Sequence, residues 1–70
     1  MNNYYEVLKL KYLAEREEAK ANLDLYFKSS VAIADHPDII KTMDKLLNRF
    51  VHANDKLKNL EENFNEFIKH

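Results

Sequence analysis

From Ile39 onward, nine apolar residues recur with gaps alternating four and three: Ile39, Met43, Leu46, Phe50, Ala53, Leu57, Leu60, Phe64 and Phe67. A stripe of that period follows one face of an α-helix for four heptads and has to be covered lengthwise by another helix. Polar residues such as Lys41, Asp44, Lys45, Asn48, Asp55, Lys58 and Glu62 fill the intervals, as a solvated face requires. No strand pattern can be laid over this half of the chain, because strands alternate every second residue. The stripe predicts a helix over about 38–69.

The first half is helical too, over about 3–34, with a broader distribution of apolar residues. Asn3 and Glu6 have the spacing of a capping box. One face carries Tyr5, Leu8, Tyr12, Ala19, Leu23, Tyr26 and Ile33, slipping by a residue around Arg16. A second carries Val7, Leu10, Ala14, Ala21, Leu25 and Ala32. A single partner helix covers only one of these faces, so the surplus calls for further helices.

Between the two lies "ADHPDII", with the only proline of the chain. Pro37 lacks an amide donor and pushes His36 out of helical geometry, so the first helix stops before it. A proline fits the opening turn of the next helix, and Asp38 suits the positive end of its dipole. Residues 35–37 therefore read as a corner. A metal or acid–base site built from Asp35, His36 and Asp38 is the competing reading, disfavoured because neighbouring turn residues rarely converge on one ion.

The expected fold is all-α: an antiparallel two-helix hairpin with coiled-coil-like packing. With the bend centred near residue 36, Tyr5 meets Phe67, Leu8 meets Phe64, Tyr12 meets Leu60 and Ala19 meets Ala53. The same register sets Lys11 against Glu61, Glu15 against Lys56 and Asp24 against Arg49. Near the middle, Arg16, His52 and Asn54 lie within a turn of the two alanines, where polar residues are expected to fix register, the alternative being that they line a binding pocket.

Size and composition then bear on the oligomeric state. A chain of 70 residues buries only roughly 60% of the surface its unfolded form exposes and needs help to be stable. It has no cysteine, which excludes disulfides and thiolate zinc sites. It has no glycine either, and with it go the usual phosphate loops and nucleophile elbows. Self-association remains, through a strip of Val7, Leu10, Ala14, Ala21, Leu25, Ile40, Leu47 and Val51. Two hairpins joined by this strip would form a homodimeric four-helix bundle. The open end gathers Tyr4, Tyr5, Phe64 and Phe67 into a tip able to dock a partner, such as another helical protein.

No arrangement for catalysis, metal binding or a cofactor is found. No glutamate precedes a histidine by three residues, and the His-Glu-x-x-His pattern is missing. The expected role is a non-enzymatic interaction or assembly module in the cytoplasm, without a membrane span. An alternative is an RNA- or DNA-binding regulator using a basic stripe of Lys41, Lys45, Arg49, His52 and Lys56 on the second helix. Against it stand the near balance of 11 basic and 12 acidic residues and the lack of interleaved aromatics for base stacking.

Overall fold

A computed structural model describes residues 2–29 and 38–68. The corner residues 35–37 lie outside them. The described residues form two long helices, α1 (Tyr4–Lys28) and α2 (Ile39–Phe64), followed by a single 3-10 turn over Asn65–Phe67. The helices pack side by side and antiparallel in a rod 52 Å long and only 15 × 14 Å across. A rod this thin has one seam and no further layer.

That seam holds the buried apolar residues: Tyr5, Ala19 and Leu23 from α1, and Ile39, Ala53, Leu57 and Leu60 from α2. Of the other seam residues of α2, Met43, Leu46 and Phe50 are half-buried and Phe64 is exposed. Ala19 and Ala53 are the most completely buried, at 0% and 1% exposure, so the two backbones come closest at mid-length. Beside this waist Arg16 Nη1 donates to Asn54 Oδ1 at 3.4 Å. It is the polar contact between helices that the sequence places there.

Both helices end earlier than their patterns run. α1 stops at Lys28 instead of 34: Ser29 is extended, and its N–H closes the helix on the Leu25 carbonyl at 3.0 Å. Serine competes with the backbone for hydrogen bonds and favours helix ends. α2 stops at Phe64 instead of 69, in a stretch carrying Asn59, Asn63 and Asn65. Asn63 Nδ2 donates back to the Asn59 carbonyl at 3.1 Å, the kind of side-chain bond that competes with helical continuation. Phe67, the ninth residue of the seam pattern, is consequently exposed.

The Asn3 capping box does not form. Asn3 makes no side-chain cap bond; Asn2 Oδ1 instead accepts from the Tyr4 amide at 3.3 Å. The expected register is also displaced. Lys56 Nζ sits 5.3 Å from the centre of the Tyr12 ring instead of beside Glu15. Arg49 reaches Glu18 at 3.7 Å instead of Asp24, which pairs with Lys20 on its own helix at 3.0 Å. Among the described residues no ion pair joins Lys11 to Glu61. The reason is where the helices end: the midpoint between Lys28 and Ile39 falls near residue 34, not 36.

Candidate functional site

Each helix turns about 100° per residue, so position relative to the seam fixes where every exposed side chain points. In an antiparallel pair, the residue that follows a seam residue falls on the same side of the hairpin from either helix. The residue that precedes one falls on the other side. The structure shows both flanks. Phe27, following Tyr26, lines a groove with Leu23, Ile40, Met43, Asp44 and Leu47. Glu18, preceding Ala19, pairs with Arg49, preceding Phe50.

On α2 the preceding flank is polar. Lys45, Arg49, His52 and Lys56 lie on it from α2, and Lys11, Glu18 and Asn22 from α1. All five residues of the expected basic stripe, Lys41 included, are exposed. Two of them are occupied by α1: Arg49 with Glu18, and Lys56 over the face of Tyr12. A cation held over an aromatic ring or against a carboxylate contributes only about 0.2–1 kcal/mol at an exposed site. It is nevertheless oriented along the protein and not outward.

The following flank is apolar toward the corner end. Ile40 follows Ile39, Leu47 follows Leu46 and Val51 follows Phe50, each about 100° round from the seam. Phe27 and Ile40 are each 72% exposed, Leu47 50% and Val51 52%. The groove they frame with Leu23 and Met43 has a volume of about 240 Å³. Further along α2, Val51, Asn54, Asp55 and Lys58 line a second hollow of about 320 Å³.

All eight residues of the expected strip are exposed, but they do not make one strip. Val7, Ala21 and Leu25 each come two residues after a buried one (Tyr5, Ala19 and Leu23), hence about 200° round. Together with Leu10 and Ala14 they form the back of α1, turned away from α2. Ile40, Leu47 and Val51 stand on a flank. One partner surface cannot cover both. Phe27 belongs with the second group and was not singled out in the sequence, although its place one residue after Tyr26 was the available signal.

At the open end, Tyr4, Tyr5, Phe64 and Phe67 do come together, with Asn2, Leu8 and Leu60, around a cavity of about 260 Å³. They are not equivalent. Tyr4, Phe64 and Phe67 are exposed, whereas Tyr5 is core at 6% exposure. Its hydroxyl is buried with no hydrogen-bond partner among the described residues.

No group of three histidine, aspartate or glutamate side chains among the described residues could hold a metal ion. Of the proposed corner site only Asp38 is described, and Asp35 and His36 lie outside. No helix among the described residues is long and apolar enough to cross a membrane. Compared with protein-family models, curated proteins and solved structures, the chain matches none.

Proposed function

We propose that this chain is a non-enzymatic helical-hairpin module that works by associating with a second copy of itself, two hairpins forming a four-helix bundle. The observation that carries this reading is an imbalance. Among the described residues eleven large apolar side chains are exposed, against a buried set of seven that includes two alanines. Burying a further apolar face is worth about 25 cal/mol per Å² removed from water. A hairpin with so small a core gains more from covering that face than most monomers do.

The basic stripe supports nucleic-acid binding less well. Arg49 and Lys56 already face α1, which leaves Lys41, Lys45 and His52 for phosphates. The formal net charge of −1 gives no general attraction to a polyanion. The tip is the candidate for docking another protein, with Tyr4 the side chain to remove.

Molar mass in solution, by size-exclusion chromatography with light scattering, tests the reading directly. A dimer at micromolar concentration, unchanged by a short mixed RNA at low salt, is the expected result. A fully helical monomer at that concentration would falsify it. A mass that rises only with RNA would favour the stripe.

A further inference from the structure

The apolar flank of α2 carries a second heptad seam, one residue later than the first: Ile40, Asp44, Leu47, Val51, Asn54 and Lys58. Four of these, Ile40, Leu47, Val51 and the alkyl stem of Lys58, offer apolar surface. Asp44 stands inside the apolar part, beside Ile40 and Leu47 in the corner-end groove. A contact that covers Leu47 and Val51 also crowds Asp44, and a carboxylate taken out of water needs an opposite charge.

Lys58 is the matching charge. It lies two heptads beyond Asp44 on the same face, and Val51 is halfway between them. Among the described residues neither Asp44 nor Lys58 is in an ion pair. A parallel pairing of two α2 helices would set Asp44 on Asp44 and Lys58 on Lys58, like on like. An antiparallel pairing about a two-fold axis at Val51 sets each Asp44 against the partner's Lys58.

A shallow hollow lies on this face. Val51, Asn54, Asp55 and Lys58 line it, the four residues at i, i+3, i+4 and i+7 that make a hole for one knob of a facing helix. In the register centred on Val51, the side chain opposite the middle of that hole is Leu47, which is half exposed in the lone hairpin. The same register brings Lys41 level with Glu61, a further opposite pair at the rim.

We infer that α2 pairs with α2 of a second copy, antiparallel, about a two-fold axis at Val51. Leu47 fills the partner's Val51–Asn54–Asp55–Lys58 hole, and Asp44 pairs with the partner's Lys58. This rests on the self-association reading and adds its face, orientation and register. The back of α1, with Val7, Leu10, Ala14, Ala21 and Leu25, stays outside the contact.

The chain has no cysteine, so disulfide trapping reports cleanly. Val51→Cys, an exposed position whose change leaves the seam intact, becomes a covalent dimer under mild oxidation, while Leu25→Cys stays unlinked. Orientation is read by charge exchange. Asp44→Lys and Lys58→Asp each weaken the dimer about tenfold, and the double exchange restores it. Three results overturn the proposal while the wild-type chain is still a dimer by light scattering: V51C that stays unlinked, L25C that links, or a double exchange as weak as the two single changes combined. If the wild-type chain is a monomer, the self-association reading falls with it.

Discussion

The two flanks of α2 start one residue to either side of the same seam and differ in chemistry toward the corner end. Stepping back from Leu46, Phe50, Ala53 and Leu57 gives Lys45, Arg49, His52 and Lys56. Stepping forward from Ile39, Leu46 and Phe50 gives Ile40, Leu47 and Val51. Had the helices merely needed to grip each other, both flanks would be polar, as the edges of a two-helix seam facing water are. On α2 the preceding flank is, whereas the following flank mixes Ile40, Leu47 and Val51 with Asp44, Asn54 and Lys58. The difference is what the proposed dimer draws on: toward the corner end the following side of α2 exposes Ile40, Leu47 and Val51.

Both flanks depend on the seam beneath them. Leu57 is buried in the seam. Leu57→Ala should cost about 2–4 kcal/mol, enough to abolish most helicity in a chain this small, as circular dichroism would show. Retained helicity would mean that the seam is not what holds the hairpin together.

Leu47→Lys tests the apolar flank alone. The hairpin should keep its helicity, and dimer affinity should fall by about 1–3 kcal/mol for each copy's side chain taken out of the contact. Sedimentation equilibrium measures it, and an unchanged dissociation constant would move the interface elsewhere.

Tyr5→Phe sharpens the view of the open end. Removing a buried hydroxyl that has no partner should stabilise the fold by about 1 kcal/mol, seen as a higher Tm. A lower Tm would show that the hydroxyl is paired in solution.

Arg49→Glu, on the polar flank, should have the smallest effect. It removes the contact with Glu18 and puts two carboxylates side by side, at a cost of about 0.2–1 kcal/mol that shrinks as salt is added. The mass in solution should not change.

How much of this was legible in the sequence differs by element. The seam of α2 could be read residue by residue because its alternation of four and three is unbroken through Phe64, and period is the most direct signal of which face is buried. Its end could not, because Phe67 continues the pattern past the point where the backbone tightens into a 3-10 turn over Asn65–Phe67. In α1 apolar residues occupy the back as well as the seam, so pattern alone extended the helix to Ile33 past the two serines. The register error followed from this. A bend centred near residue 36 assumes helices that run up to the corner, and with ends at Lys28 and Ile39 the expected pairs Glu15–Lys56 and Asp24–Arg49 give way to Tyr12–Lys56 and Glu18–Arg49.

The exposure of all eight strip residues could be foreseen, since each lies off the seam. Their division between the back of α1 and a flank of α2 depends on which way each helix turns relative to the seam, which the apolar pattern of the two helices taken together does not carry. The polar contact of Arg16 with Asn54 was legible because both sit within a turn of the alanines at the waist. The partnerless hydroxyl of Tyr5 was not, for a tyrosine on a seam edge looks the same in sequence whether or not its oxygen reaches water.

The waist has a consequence for how the sequence can drift. At Ala19 and Ala53 the side chain is a methyl group with almost no exposed surface, so nearly every substitution there adds atoms where none fit, at about 1–3 kcal/mol each. Glycine is smaller but gives up about 1 kcal/mol of helix propensity, and serine brings a hydroxyl that must find a partner. Two positions near the middle of the rod thus have almost no neutral neighbours in sequence space. The exposed flank beside them, at Leu47 and Val51, carries no such restriction within the hairpin.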